Sequence, residues 1–332
     1  MYIEEIELNE TGKKVLIIAG THGNESNAVN LLSLYGYYLK RLKYFLDKKQ
    51  PGDNYFIDEI LFPMFTQEKN IKSITIVNAL NETGLKYNTR EFIQLSSTET
   101  DDLNRYFDDE RIPNKDDIME RLDQLIKKHD IIIDVHNTEN VTGCVSIALN
   151  VNAPYYTDFC LKNKIPFILM ENNNTIKKHA DLGGKKAFTV EVTCLGYNLT
   201  FINEDLRCKE LALLISRICE CAKDENKTFN KYSLDDLIPY KSIQLTVYKE
   251  GLLNWKGTYP MDDGRLDLTP SLKEEGETLA SILDPLTRNE VGKIIAPRKG
   301  YLMSISGSYW SAGTVGDYQP RLPDSIMEMY HD

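Results

Sequence analysis

The chain has 332 residues, which corresponds to about two domains and is long enough to bury a core without disulfide or metal cross-links. Its 39 lysines and arginines against 50 aspartates and glutamates give a formal net charge of −11, which disfavours nucleic acid and anionic membrane surfaces as partners. No apolar run reaches the length that a membrane span needs, and the N-terminal residues show no export signal. We therefore predict a cytoplasmic protein that is not inserted in a membrane.

Short apolar segments alternate with longer amphipathic stretches between residue 13 and about residue 225. Six segments rich in β-branched residues predict strands, at 15–19, 73–77, 131–135, 144–148, 167–170 and 188–192. Three stretches with apolar residues at three-to-four spacing predict helices, at 25–43, 116–128 and 203–223. Because the strand segments are almost continuously apolar, we expect strands buried on both faces. The order predicts an α/β fold with a mixed, mostly parallel central sheet and flanking helices.

The sequence pattern changes after residue 226. Residues 243–248 alternate in character, and turn-forming clusters then recur at 262–264, 270–271, 289–290 and 297–300. We predict two domains, at 1–228 and 229–332, of which the second is smaller and β-rich.

The segment Gly20-Thr21-His22-Gly23-Asn24-Glu25 follows the first predicted strand directly and opens the first predicted helix. A glycine turn between a strand and a helix is where α/β sheets place ligands. His22 and Glu25 are three residues apart, so one helical turn can direct both toward a single ion. Alone, this spacing also fits a turn histidine followed by an acidic residue at a helix N-terminus.

A second histidine strengthens the metal hypothesis. His136 follows the apolar segment Ile131–Val135, at the point where another predicted strand ends. Two histidines and one glutamate leave the fourth position of a tetrahedral zinc site open, which is the catalytic arrangement of that metal. Two of the remaining three histidines, His129 and His331, are interpreted as surface residues.

Two further features carry chemistry. Asn104 and Arg105 lie among acidic residues in the segment 101–107, and an amide beside a guanidinium fork is suited to binding a carboxylate. A surface ion pair is the competing interpretation.

Glu191 lies inside the apolar run 188–193, where burying a carboxylate costs free energy unless the group is paired or takes part in chemistry. It is either a general base or the solvent-facing residue of an ordinary strand.

Together these blocks resemble the succinylglutamate desuccinylase/aspartoacylase family, which has the zinc-carboxypeptidase-like fold. The likeness rests on four segments in the same order, 20–25, 102–105, 134–138 and 190–192, and covers residues 13–225. Weaker matches at 276–280, 284–285 and 296–302 are similar to the β-barrel that follows the catalytic domain in this family. The resemblance implies one Zn²⁺ per chain and hydrolysis of the amide bond of a small anionic N-acyl amino acid.

The resemblance also implies a role for each site residue. The zinc ligands would be His22, Glu25 and His136, and Glu191 would be the base that assists the attack of water activated by the metal. Further implied residues are Asp102, which would orient a ligand histidine, Arg90, which would polarise the scissile carbonyl, and Asn104 with Arg105, which would bind a substrate carboxylate.

Two positions of the family pattern stay open in this sequence. Where aspartate-specific members have another arginine before the catalytic glutamate, this chain has lysines, and we select Lys178 as the substrate-binding candidate. Tyr301 and Tyr309 are both candidates for the tyrosine that completes the site in some relatives.

The alternatives to a deacylase are a zinc carboxypeptidase acting on peptides and a metabolite-binding protein without catalysis. A homo-oligomer is left open.

Overall fold

The computed structural model describes fourteen parts of the chain: residues 1–48, 71–93, 100–104, 116–138, 145–150, 160, 167–170, 175–193, 204–221, 243–247, 251–255, 272–305, 309–310 and 313–319. The chain folds into two compact units. The first unit comprises Met1–Asn137, Asn172–Val192 and Thr200–Thr228, and the second comprises Thr138–Glu171, Thr193–Leu199 and Phe229–Asp332. The predicted boundary between residues 228 and 229 stays a prediction.

The described helices are α1 (Ser26–Lys48), α2 (Glu82–Tyr87), α3 (Asp116–Lys128), α4 (Thr175–Leu182) and α5 (Glu204–Cys221). The first nine strands are β1 (Tyr2–Glu7), β2 (Lys13–Ala19), β3 (Ile71–Asn78), β4 (Phe92–Ile93), β5 (Thr100–Asp101), β6 (Ile131–Thr138), β7 (Val145–Asn150), β8 (Phe167–Met170) and β9 (Lys186–Thr193). The remaining eight are β10 (Ile243–Val247), β11 (Gly251–Trp255), β12 (Leu272–Lys273), β13 (Thr278–Leu283), β14 (Glu290–Ile295), β15 (Gly300–Ile305), β16 (Tyr309–Trp310) and β17 (Gly313–Gln319).

The central sheet is mixed and mostly parallel, as the sequence predicts. Five of its strands belong to the first unit, in the order β1-β3-β2-β6-β9. Strand β2 pairs in parallel with both β3 and β6, whereas β1 pairs antiparallel with β3. Because β2, β3 and β6 run the same way, the residues that follow Ala19, Asn78 and Val135 emerge at one edge of the sheet.

The core of the first unit explains why the central strands are continuously apolar. Val15 to Ala19 and Ile131 to Ile133 are almost completely buried. Helix α1 buries one face, through residues at three-to-four spacing that include Ala28, Leu32, Tyr35, Leu39 and Leu42. Each of the three leucines contributes roughly 1.5–3 kcal/mol of transfer free energy when fully buried, so this packing holds α1 against the sheet.

One histidine prediction is wrong. The sequence pattern places His129 at the surface, but the residue is only 4% exposed. Its Nδ1 lies 2.6 Å from the carbonyl oxygen of Leu125, and its Nε2 lies 2.7 Å from the hydroxyl oxygen of Thr75. The ring therefore joins the end of α3 to strand β3. His331 lies outside the described residues.

The second unit contains the parallel pair β7 and β8, together with two antiparallel sheets. The sheets have four strands each, in the orders β10-β17-β15-β12 and β14-β13-β11-β16. The described residues after 229 form the eight strands β10 to β17, and the predicted second domain and its closure into a β-barrel stay predictions. Within the described part of the chain, no helix is both long enough and apolar enough to cross a membrane.

Candidate metal centre

The turn between β2 and α1 is built for close backbone packing. Gly20 has a φ of 73°, and a Cβ on it would lie 2.8 Å from the side chain of Val29. A Cβ on Gly23 would lie 2.0 Å from the carbonyl carbon of Gly84 at the start of α2. Gly20 therefore provides the left-handed turn conformation and leaves room for Val29 of α1, whereas Gly23 lets the turn lie directly against α2.

Three buried side chains converge at the end of this turn. His22, Glu25 and His136 each offer one ligand atom, and these atoms all lie within 4.8 Å of one another. His22 Nδ1 lies 2.6 Å from Glu25 Oε1, and His136 Nδ1 lies 3.0 Å from Glu25 Oε2. The two Nδ1 atoms are 3.2 Å apart. The structure thus brings together the three ligands that the sequence predicted from two distant segments.

The donor set and its spacing fit a zinc ion. Two imidazole nitrogens and one carboxylate are ligands that zinc takes in catalytic sites. At bond lengths of ~2.0–2.1 Å, two nitrogens of a tetrahedral site lie about 3.3–3.4 Å apart. The observed Nδ1–Nδ1 distance of 3.2 Å is close to this value. The residues therefore fit the metal that the family resemblance implies.

A carboxylate lies against the outer nitrogen of each histidine. Asp134 Oδ2 lies 2.9 Å from His136 Nε2, and its Oδ1 accepts a hydrogen bond of 2.9 Å from the Thr21 hydroxyl. Asp102 Oδ1 lies 3.3 Å from His22 Nε2. The Asp134 carboxylate is placed to hold a proton on His136 Nε2, which leaves Nδ1 as the atom for a metal, and Asp102 is an ion-pair partner of His22.

The charges at the site shift the pKa values in the direction that a cation site requires. Burial favours neutral Glu25, but the two histidines hold the pKa of Glu25 well below its usual range. Burial likewise opposes the ionisation of Asp102, yet His22 and Arg90 lower the pKa of this aspartate. Burial disfavours charged His136, whereas Asp134 and Glu25 raise the pKa of its ring well above the ordinary value. The centre is therefore a negative environment that favours positive charge.

Glu191 lies in β9 and is half-buried. Burial raises the pKa of Glu191 to about 7, His136 opposes this shift and Glu25 adds to it. The charged groups of the centre therefore act on the Glu191 carboxylate. A carboxylate with a pKa near neutrality is suited to accepting and returning a proton.

Arg90 is tied to the metal-site turn through its backbone and its side chain. Its carbonyl oxygen accepts hydrogen bonds of 3.2 Å from the Gly23 N–H and from the side-chain amide of Asn81. Its guanidinium donates to Asp102 Oδ2 at 3.3 Å. Asn104, two residues after Asp102, is buried, and its backbone N–H donates to Asp102 Oδ1 at 2.8 Å. Predicted residues Arg90, Asp102 and His22 thus form one chain of contacts.

The other predicted site residues are placed only in part. Arg105 lies outside the described residues. Lys178 is an exposed residue of α4. Tyr301 and Tyr309 lie in β15 and β16, and the structure describes their backbone only. The roles of these four residues stay predictions.

Sequence reasoning missed Asp134 as part of the site, along with Thr21 and Asn81. Asp134 lies two residues before His136, so both side chains are on the same face of β6. It is also an ionisable residue inside an apolar run, which is the signal that singles out Glu191. The same rule, applied to residues 131–135, would have found it.

Similarity to known proteins is found in structure and not in sequence. No protein-family model matches the sequence. No curated protein sequence matches it either. Solved structures do match. The product-bound ectoine utilization protein EutE (DoeB) from Ruegeria pomeroyi is 14% identical with a TM-score of 0.58, over 96% of this chain and 86% of that one.

Two further structures agree with this match. A succinylglutamate desuccinylase/aspartoacylase from Rhodobacter sphaeroides is 15% identical with a TM-score of 0.58, over 96% of this chain and 88% of that one. An aspartoacylase family protein from Mesorhizobium loti is 18% identical with a TM-score of 0.55, over the same shares. The chain has the fold of these proteins. The predicted resemblance is therefore confirmed at the level of the fold.

Proposed function

We propose that the protein is a zinc-dependent amidohydrolase that holds one Zn²⁺ per chain and removes the acyl group from a small, anionic N-acyl amino acid. The observation that carries the proposal is the convergence of His22, Glu25 and His136 beside a glutamate whose pKa lies near 7. The structures with the same fold are described as a desuccinylase/aspartoacylase, an aspartoacylase family protein and an ectoine utilization protein, which supports deacylation.

The protein's own residues divide the chemistry between them. When bound, zinc supplies Lewis acidity to a water molecule and to a carbonyl oxygen. Glu191 accepts a proton from the attacking water at its carboxylate, and later returns it to the nitrogen of the leaving amine. Its pKa of about 7 suits both steps, because the group is neither a strong acid nor fully protonated at neutral pH.

Arg90 is the proposed electrophilic partner of the metal. Its side chain is 43% exposed, so the guanidinium can reach a substrate while its backbone stays tied to Gly23 and Asn81. Donors aimed at a developing oxyanion typically contribute about 2.7–4 kcal/mol to lowering the barrier. Asn104, Arg105 and Lys178 are proposed to bind the substrate carboxylates.

The substitution Glu191→Gln tests the proposed base. The amide cannot accept the proton, so we expect kcat to fall by about 10³-fold or more while the bound zinc stays at one per chain. Glu120→Gln makes the same change from a carboxylate to an amide at an exposed position of α3, and it serves as the matched control. Release of amino acid from N-acetyl and N-succinyl amino acids measures activity, and elemental analysis measures zinc. A Glu191→Gln protein that keeps most of its activity contradicts the assignment.

The same assay decides between the proposed function and its alternatives. Release of free amino acid from N-acyl amino acids, with no cleavage of peptides, is the expected result. Cleavage of C-terminal residues from peptides instead would identify a carboxypeptidase. Zinc-loaded protein that binds N-acyl amino acids and hydrolyses neither class would identify a metabolite-binding protein.

A further inference from the structure

Helix α1 begins in an unusual way, because the residue in its N-cap position uses its side chain elsewhere. The helix starts at Ser26, which places Glu25 directly before the first helical residue. An N-cap side chain normally accepts a hydrogen bond from the N–H of the second or third helical residue. The two carboxylate oxygens of Glu25 instead face the imidazoles of His22 and His136.

The missing cap comes from another element. The N–H of Ala28, the third residue of α1, donates to Oδ1 of Asn137 at 2.5 Å. Asn137 belongs to β6 and follows His136 directly. Its own backbone N–H donates to Glu25 Oε2 at 3.3 Å. Asn137 thus accepts a hydrogen bond from the first turn of α1 and donates one to the carboxylate of Glu25, which precedes that turn.

We propose that Asn137 is a positioning residue of the metal centre, which caps α1 from β6 and thereby leaves Glu25 available as a ligand. The inference rests on the proposed function, because it assigns Asn137 a role in zinc binding. Without the cap, the first turn of α1 is free to fray, and Glu25 then loses the fixed position relative to His136 that a shared ligand set requires. The role is one of position only, since the Asn137 side chain binds the helix rather than the metal.

Asn78 offers a matched control. It is the last residue of β3, and its side-chain amide donates to the carbonyl oxygen of Val29 at 3.2 Å and to the Ser33 hydroxyl at 2.5 Å. It therefore also ties α1 to the end of a strand, but it contacts none of the three ligand residues. Replacing either asparagine with alanine removes one side-chain tether from the same helix.

Zinc affinity of the full chain is the first measurement, with Zn²⁺ alone as the probe in competition with a chromophoric chelator. We expect Asn137→Ala to weaken zinc binding by about tenfold or more, as for other residues that support metal ligands, and Asn78→Ala to leave it unchanged. Equal losses in both variants, or none in Asn137→Ala, would overturn the inference.

Amide hydrogen exchange of Ala28 in the metal-free protein is the second measurement. It should be several-fold faster in Asn137→Ala and unchanged in Asn78→Ala and in Asn137→Asp, which keeps the acceptor oxygen. Unchanged exchange in Asn137→Ala overturns the capping role whether or not the protein binds zinc. A wild-type chain that binds no zinc would overturn the proposed function, whereas wild-type affinity in Asn137→Ala would overturn only this inference.

Discussion

The Asp134 carboxylate decides which nitrogen His136 offers to the centre. Asp134 is 1% exposed and receives bonds from both His136 and Thr21, so its two oxygens are held in place. A metal ion would displace the Nδ1 proton of His136, and the bond from Nε2 to Asp134 would then keep the remaining proton on Nε2. The tautomer of His136 is thus set by a residue that does not touch the metal position.

Asp134→Asn tests this dependence. The amide has nearly the same shape, but it lacks the charge that holds a proton on His136 Nε2, so we expect zinc affinity to fall by about 10–100-fold. Asp130→Asn is the control, because Asp130 precedes the same strand at its opposite end, where it accepts a hydrogen bond from the N–H of Lys14. Chelator competition measures both affinities. Equal affinity in Asp134→Asn and wild type would contradict a role for the outer carboxylate.

At the residue scale, the sequence predicted the three side chains that converge, but not all of the residues that hold them in place. His22, Glu25 and His136 were found because each follows an apolar strand, and the parallel order of β2 and β6 brings strand ends together. Asp134 was missed because the rule that singles out Glu191, an ionisable residue inside an apolar run, was not applied to the strand before His136. Asn137 was not predicted as a site residue, since a cap that one strand supplies to a distant helix has no local sequence signature.

At the element scale, the long elements were predicted more closely than the short ones. Helix α3 has the predicted bounds, and α1 and α5 differ from prediction by a few residues. Helices α2 and α4, with 6 and 8 residues, were not predicted, because two turns give too few apolar positions to establish a period. Strand β1 was also missed, because its three glutamates interrupt the apolar run that marks the other strands, as suits an edge strand in which only Ile6 is buried.

The turn that carries His22 packs directly against α2, a short helix that the sequence did not predict. A Cβ on Gly23 would overlap the backbone of Gly84, and a Cβ on Gly84 would meet the side chain of Asn81. The Asn81 side chain accepts a hydrogen bond from the Gly84 N–H at 2.8 Å, which caps α2, and donates to the Arg90 carbonyl. Helix α2 therefore fixes Arg90 and His22 relative to each other.

Gly23→Ala tests this packing. A Cβ at this position meets backbone atoms of Gly84 at 2.0 and 2.3 Å, so the turn must move away from α2. We expect a loss of unfolding free energy of about 1–3 kcal/mol or more, together with weaker zinc binding. Gly184→Ala is the control, since Gly184 has a φ of 75° but open space around its Cβ position. It should lose stability through backbone strain without a change in zinc affinity.

At the scale of the whole molecule, composition and pattern gave the fold class but not the interior polar contacts. The division into an α/β part and a β-rich part follows from where apolar runs and turn clusters lie along the chain. Whether a given polar residue is inside depends on which distant segments cover it. His129 was predicted at the surface for this reason. It follows two lysines, a pattern typical of solvent-exposed residues, whereas in the fold strand β3 packs against it through Thr75.

Buried His129 makes the stability of the molecule depend on pH. Burial lowers the pKa of His129, while the bond to the Leu125 carbonyl opposes that shift. Above the unfolded pKa of about 6.5, the ring is neutral in both states and its contribution to stability is fully present. As the pH falls below about 6.5, the unfolded chain binds a proton that the folded chain resists, so the free energy of unfolding decreases until the folded pKa is passed.

His129→Gln isolates this effect from the other titrating groups. At pH 7.5 the variant should be less stable than wild type by on the order of 1 kcal/mol, because the ring's hydrogen bonds to Leu125 and Thr75 are lost or weakened. Between pH 7 and 5 the difference should shrink, since only wild type loses the His129 contribution. Urea unfolding of the metal-free proteins at several pH values measures both curves. A difference that stays constant across this range would mean that His129 titrates equally in the folded and unfolded chains.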